Sequence, residues 1–447
     1  MSINLSNLEL TVLEKISSAS TPLEVQTYSK ALQVLRNGNV YSLDTFSSLP
    51  TASEGAGKLY YIQDEKIVYF APPSYGEWIP ITTTSVSQIF GGGSDYAGGL
   101  GKGTSGVDVL CSFTQEICSA TDWVCVTSGT IAGAHAIKAD GSLWAWGYNA
   151  YGNLGIGCTQ DRCSPVQEFT SSTWCHVMKS AVYEAGGGIK TDSTLWTWGN
   201  NQNGWLGDGT VVTRCSPVQE ASSSTWIDLS GGSCFMNAIK TDGTLWSWGC
   251  NTNGDLGNGT VVGSSSPVQE RSSNTSWCKV RSGFNFALAI KSDGTLWSWG
   301  NANNGKLACY TTNRSSPVRE NSSSTNWAYL GSGRETAYGI KNDGTLWGWG
   351  CNTNGQIADN TTVNRSSPVQ EASSSTNWCY LNNVPGYRIG SAVKTDGTLW
   401  GWGRDYNSYY PWPAPSSSPS QEVTSGTNWS QVAAGTSQVF ALKATSF

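Results

Sequence analysis

The chain has 447 residues, 52 of them Gly, with only 13% charged residues and a net charge of −6. With no basic run it lacks an electrostatic footprint for nucleic acid, and with no apolar stretch of about 18 residues it lacks a membrane-spanning helix. Its 13 cysteines and two histidines form no CxxC and no Cys/His cluster, which excludes the usual zinc sites.

Taken in chain order, the opening MSINLSNLEL has neither the basic segment nor the apolar core of a secretory leader. The expectation is a protein assembled in a reducing cytosol with free thiols. Leu5 to Ile16 and Ser20 to Gly38 read as short amphipathic helices. Thr21 and Glu24 form a capping box for the second, Pro22 takes its first position, and Asn37-Gly38 stops it. Leu5, Leu8, Val12, Leu23, Tyr28, Leu32 and Leu35 are the candidate attachment residues of this segment, 1–38. Local packing and association with partner chains both account for them. Residues 39–84 form a small β-rich module, with strands expected at Lys58–Gln63, Lys66–Phe70 and Glu77–Ile81.

From residue 85 onward the chain repeats. W-x-x-[VL] occurs at Trp123, Trp174, Trp226, Trp277, Trp327, Trp378 and Trp429, at intervals of 50 to 52 residues. KxD[GS]xLWxWG occurs six times, from Lys138, Lys190, Lys240, Lys291, Lys341 and Lys394. One unit reads as four strands: WIDLSGG, NAIK, LWSWG and SPVQE. TDGT between the second and third is expected to be a two-residue type I′ hairpin. The Pro of the fourth suits an edge strand. Four antiparallel strands per ~50 residues make a propeller blade.

The missing seventh LWxWG strand is expected at VSQIFGGG, with Phe90 in the slot of the second Trp and Gly91 in that of the Gly. The last blade would then combine C-terminal strands with the strand near Val86 to Gly91, leaving no open sheet end. The fold class is therefore mainly β, a seven-bladed propeller over residues 85–447 closed by N- and C-terminal strands and preceded by a small α-helical plus β-meander module. Nineteen of the 22 tryptophans occupy repeat slots, so they are read as core. Cys175, Cys278 and Cys379 share one repeat slot, Cys250 and Cys351 another, and Cys163 and Cys215 a third. Other copies carry small or polar residues there, so these thiols read as fillers.

The unit AIKTDGTLWSWGCNTNGDLGNGT…SPVQE resembles the regulator of chromosome condensation repeat, with its WGxNxxGQLGxG turn. Residues 201–207 and 251–257 match well, whereas 301–308 and 352–358 match loosely, ending in Leu307-Ala308 and Ile357-Ala358. The resemblance covers about four-fifths of the chain and implies a seven-bladed propeller. It does not imply one function. The family includes a guanine-nucleotide exchange factor and a plant ultraviolet-B photoreceptor, and neither the contact motif of the first nor the Trp cluster of the second has a counterpart. The run LPTAS…LYYI.D…VYF…W.PI resembles small β-modules of phage tail fibres and other virion appendages. That resemblance implies a virion structural protein attached through its N-terminal part.

With first strands running upward, the Asp-Gly hairpins and Ser-rich links lie on the bottom, and the loops between strands one and two and between three and four lie on top. Residue 84 enters at the bottom. The bottom is monotonous and the top varies. Candidate binding residues on the top are Tyr183, Glu184, Phe235, Phe284, Phe286, Arg334, Glu335, Tyr387 and Arg388, together with Arg404, Tyr406, Tyr409, Tyr410 and Trp412 from RDYNSYYPWPAP. This last cluster also reads as rings patching a degenerate blade. His135 and His176 have no repeated acidic or nucleophilic companion. GLGKGTS lacks the Ser or Thr after Lys102 that a phosphate loop needs. No catalytic residue, metal site or cofactor is expected.

The leading expectation is a non-enzymatic virion protein, a tail fibre or appendage assembled in the host cytoplasm as a homo-oligomer, a trimer among the arrangements open. Residues 1–84 would meet tail or baseplate proteins, and the propeller would meet a host-surface glycan or protein. No nucleic-acid partner and no membrane insertion are expected. The alternatives are a small-GTPase exchange factor or signalling scaffold, and a glycan depolymerase.

Overall fold

A computed structural model describes residues 87–447 apart from short segments at 105–108, 130–131, 169–172, 180–183, 221–224, 310, 323, 383–388, 405–411, 413–415, 436–437 and 445–447. It also describes four strands in the first 86 residues. These are Val40–Leu43, Leu59–Ile62, Ile67–Phe70 and Ile79–Thr82, which form one sheet in chain order. The last three fall where strands were expected. Val40–Leu43 was not anticipated; it pairs in parallel with Leu59–Ile62, a contact no hairpin signal announces. The helix assignments over 1–38, with all seven attachment candidates, lie outside the described residues.

Each repeat forms a four-stranded antiparallel sheet. In the third, Trp226–Gly231, Phe235–Lys240, Leu245–Gly249 and Ser264–Gln269 pair in sequence order. We call these strands a to d and number the blades by their first Trp: 123, 174, 226, 277, 327, 378 and 429. Leu245 and Trp248 are buried on opposite faces of strand c, against blades 4 and 2, and Trp246 is half-buried. Strand d lies at the edge, and its Pro falls where the register to strand c shifts.

Blade 7 combines both ends of the described chain. Its strands a and b are Trp429–Ala434 and Gln438–Ala444, its strand c is Ser87–Ser94, and its strand d is Val109–Gln115. The register corrects the expected alignment. Ala441 faces Phe90 as Ala238 faces Trp246, so Phe90 holds the slot of the first Trp, not the second. Gly92 holds the slot of the second Trp. Gly93, at φ 109°, holds that of Gly249, at φ 102°. A run of three glycines hides this two-residue offset in the sequence.

The hairpin assignment is also corrected. Gly243 N–H donates to Lys240 O (2.9 Å), Lys240 N–H donates to Thr244 O (2.9 Å), and Gly243 has φ +78° while Asp242 stays right-handed. This is a type I turn followed by a left-handed residue, a three-residue loop rather than a type I′ turn. Asp242 Oδ1 accepts from Thr244 N–H (2.9 Å) and Oγ1–H (2.6 Å), holding the turn without a second positive φ. In blade 2 the left-handed position is Ser193, at φ +66°.

The tryptophans work in three registers. In blades 1 to 6 the strand a Trp donates to the Glu that follows the preceding strand d, as Trp277 Nε1 does to Glu270 Oε1 (3.3 Å). The first Trp of strand c donates to the turn hydroxyl, as Trp246 does to Thr244 Oγ1 (2.8 Å). The second donates across the blade junction to a loop carbonyl of the preceding blade. These bonds run from Trp146 to Gly99 O (3.1 Å), Trp198 to Asn153 O (3.0 Å), Trp248 to Trp205 O (2.9 Å), Trp299 to Asp255 O (2.9 Å), Trp349 to Lys306 O (3.1 Å) and Trp402 to Gln356 O (2.7 Å). The repeat Lys stacks its ammonium on two of these rings; Lys240 Nζ lies 3.8 Å from the Trp246 centroid and 5.1 Å from that of Trp226.

The larger hydrophobic clusters fill junctions between blades. Phe235, Ile239, Leu245 and Leu256 of blade 3 meet Trp277, Val280, Ala289 and Trp299 of blade 4. Ile89, Leu100 and Phe440 of blade 7 meet Trp123, Val126 and Trp146 of blade 1. A buried aromatic side chain removes roughly 150–250 Å² from water, on the order of 4–6 kcal/mol before ordering costs. Twelve of the 13 cysteines are described and none of the twelve is bridged.

Two stability outcomes follow. Glu270 also accepts from Ser272 N–H (2.7 Å), Ser272 Oγ–H (2.7 Å) and Asn274 N–H (2.8 Å). Glu270→Ala leaves these donors and the buried Trp277 indole unpaired. It is expected to lower the unfolding free energy by about 2–4 kcal/mol, read as a lower urea midpoint at unchanged slope, with Glu270→Gln losing less. Ser193→Gly relieves a left-handed serine and is expected to add about 0.5–1 kcal/mol on the same denaturation curve.

Candidate binding face

Antiparallel order brings the a–b and c–d loops to one end of every blade, opposite the Asp-Gly hairpins. The c–d loop is rigid for stated reasons. Asn251 Oδ1 accepts from Leu256 N–H (2.9 Å), and its Nδ2 donates to Thr260 O (3.1 Å) and Val262 O (3.0 Å). Gly257, at φ +65°, sits where a Cβ would lie 2.9 Å from the Trp299 indole nitrogen. The glycine thus admits the indole that the neighbouring carbonyl holds. Blades 4 and 5 carry Ala308 and Ala358 in that place, both left-handed (φ 62° and 66°), which is why their motifs look imperfect in sequence.

Gly92 supplies no indole at the junction of blades 6 and 7. The c–d loop of blade 6, from Arg404, is the one in which the motif is replaced. Its departure follows from that missing partner. Trp412 is half-buried and packs with Ile389, Leu399 and Trp429, its ring lying where a Cβ on Gly401 would be (2.3 Å), so it is a packing residue. Arg404 is exposed. Tyr406, Tyr409, Tyr410, Tyr183, Tyr387 and Arg388 lie outside the described residues.

Two further candidates are corrected. Phe235 and Phe286 are 1% and 0% exposed and begin strand b as core rings, filling the space a Cβ on Gly232 or Gly283 would take. The structure does bring Phe284, Arg334 and Glu335 together. The Arg334 guanidinium stands 4.5 Å over the Phe284 ring, Phe284 N–H donates to Arg334 O (3.2 Å), and Asn304 Nδ2 donates to Glu335 Oε2 (2.9 Å). Ser233 N–H donates to Phe284 O (2.9 Å), so the a–b loops of blades 3, 4 and 5 are joined side by side.

Several residues escaped sequence reasoning. Tyr96 and Tyr151 are exposed aromatics on the c–d loops of blades 7 and 1, and Val211, Val212, Val261, Val262 and Val363 are exposed on those of blades 2, 3 and 5. Paired valines between Gly-Thr and a polar residue were the available signal. The candidate Glu184 is itself buried, at the top of the junction between blades 1 and 2 with His135 and Lys179, and His135 Nδ1, Lys179 Nζ and Glu184 Oε2 find no protein partner. Burial pushes the His135 imidazole down to about 3, helped by Lys179. It pulls the Lys179 ammonium down to about 8 and raises the Glu184 carboxyl to about 7, each only partly offset by the other.

The sign for Glu184 is definite. Its folded pKa lies above its ordinary 4.5, so its contribution is fully present below about 4.5 and is lost as pH rises through about 7. Glu184→Gln is expected to be more stable than the parent chain at pH 8, the difference vanishing near pH 4, as read from thermal melts across that range.

The regulator of chromosome condensation (RCC1) repeat matches residues 140–180, 192–238, 242–290 and 343–380, and a second description of the same repeat matches 277–306 and 329–356. The ultraviolet-B receptor UVR8 of Arabidopsis thaliana is 34% identical over 82 residues, 18% of this chain and 19% of that protein. The E3 ubiquitin-protein ligase HERC2 of Homo sapiens is 28% identical over 253 residues, 55% of this chain and 5% of that protein. The chain thus spans well under two-thirds of either relative. Among solved structures, yeast RCC1 (Prp20) bound to Kap60 superposes with a TM-score of 0.70 at 16% identity over 81% of this chain and 89% of that one. Human WBSCR16 superposes at 0.69 and 16% identity over 80% and 100%. Over those residues the chain thus matches the regulator of chromosome condensation repeat, and it folds into repeated four-stranded blades resembling those of the RCC1 propeller.

Proposed function

We infer that the protein is a virion structural component, a tail fibre or similar appendage, that acts by binding and not by catalysis. Its propeller, in which Ser87–Ser94 pairs with Gln438–Ala444, would present the top face to a host-surface glycan or protein, while residues 1–84 would hold it to neighbouring virion proteins. The observation that carries this reading is the asymmetry of the two faces. Bottom side chains are committed to turns and rings, whereas the a–b loops change composition from blade to blade and include the Phe284–Arg334–Glu335 patch. The N-terminal strands add support, since three of them coincide with the segments that resemble virion appendage modules.

The test is twofold. Mass spectrometry of purified particles is expected to find this chain among their structural proteins. Added full-length protein is expected to slow adsorption of those particles to host cells, and an Arg334→Ala, Glu335→Ala variant to compete at least tenfold less well. Absence from particles overturns the reading. So does release of nucleotide from a small GTPase, or cleavage of a surface glycan by the purified chain, without any effect on adsorption.

A further inference from the structure

The top rung of the b–c ladder is filled differently in each blade. Glu184 faces Asn200 in blade 2, Asn285 faces Asn301 in blade 4 and Glu335 faces Cys351 in blade 5, each joined by one backbone bond (3.2, 2.8 and 2.9 Å). In blade 3 both places hold cysteine. Phe235 pairs with Gly249, the next rung is Cys234 opposite Cys250, and Cys250 N–H donates to Cys234 O at 2.7 Å. Sequence slots explain Cys250 as a small filler but say nothing of Cys234, whose partner is visible only across the ladder.

We propose that Cys234 and Cys250 are a reversible dithiol–disulfide pair, a modification site on the top face that a low-molecular-weight disulfide such as glutathione disulfide oxidises. Adjacent positions on paired strands hold the two Cα atoms about 5.5 Å apart, within the span a disulfide requires. As cross-strand neighbours on one rung, the two side chains leave the ladder on the same face, and both residues are partly exposed. Ser233 Oγ–H points at the Cys234 sulfur (3.6 Å). The neighbouring Cys234 thiol holds the Cys250 thiol below its ordinary range against the opposing effect of burial, which makes Cys250 the attacking thiolate.

The step balances. The Cys250 thiolate attacks one sulfur of glutathione disulfide, a mixed disulfide forms, and one glutathione thiolate leaves. Cys234 loses its proton to water and attacks the Cys250 sulfur, expelling the second glutathione thiolate. Two protein thiols are oxidised to one disulfide, and one glutathione disulfide is reduced to two thiols.

The full-length protein would be equilibrated in glutathione buffers of rising disulfide fraction, quenched with N-ethylmaleimide and digested with trypsin. Lys240 separates the two cysteines into peptides 215–240 and 241–271. A Cys215→Ser background leaves Cys234 and Cys250 as their only thiols. The expected result is a cross-linked pair of these peptides, 2 Da lighter than their sum, that accumulates as the buffer becomes oxidising and disappears with dithiothreitol. Cys250→Asn is expected to abolish the cross-link. A Cys234→Asn, Cys250→Asn chain reproduces the rung of blade 4 and serves as the folded control. Two alkylated thiols at the oxidising limit, or glutathione adducts on Cys250 with no cross-link, would overturn the proposal.

Discussion

The bond on which the ring most depends is the one from a buried indole to the backbone carbonyl of the preceding blade. An indole N–H has a single donor direction, and in the core no water can meet it. Left unpaired it costs about 1–3 kcal/mol. Six such donors, from Trp146 to Trp402, therefore dictate six loop shapes. The loop must bring a carbonyl to the ring, so it needs a left-handed residue beside that carbonyl, and it must hold this shape without a strand, so it uses an Asn clamped to its own backbone. The repeat motif is the written form of this requirement. Where Gly92 replaces the indole the requirement lapses, and the preceding loop has lost the motif.

The same reasoning accounts for the unequal faces. At the bottom, Asp242 holds its turn, Thr244 receives an indole and Lys240 covers two rings, so each side chain has a structural duty that recurs in blades 1 to 6. Glu270 and its counterparts tie the Ser-rich links to the next Trp. At the top of strands b and c the demand is on the backbone. Gly249 must let Cys234 O approach, but the side chains of that rung carry no common duty. Glu, Asn, Cys and Ala are all tolerated there, which is how blade-specific chemistry accumulates on one side only.

Much of the fold was legible because it is periodic. Seven W-x-x-[VL] strands, six LWxWG strands and a complement of strands at the two ends define the blades. Filler cysteines such as Cys215, against which Gly152 packs, follow from comparing copies. The failures share one cause. The hairpin type depends on one φ angle, and both turn types accept Asp-Gly. The slot of Phe90 depends on register, which three consecutive glycines leave open. Phe235 and Phe286 look like loop residues because they begin a strand directly after one, and only packing shows their rings turned inward.

The amino-acid sequence alone determined the blade, its count and the division of duties between its two faces, because each copy must satisfy the same buried donors. It could not determine which residues of different copies meet, since that depends on how one blade stacks on the next. The pairing of Arg334 with Phe284, the burial of Lys179 beside His135 and Glu184, and the rung that sets Cys234 against Cys250 are products of strand register and blade packing. Local pattern carries the frame because every copy repeats the same buried donors and acceptors. The chemistry of the top face belongs to tertiary structure because it is made of neighbours that are distant in the chain.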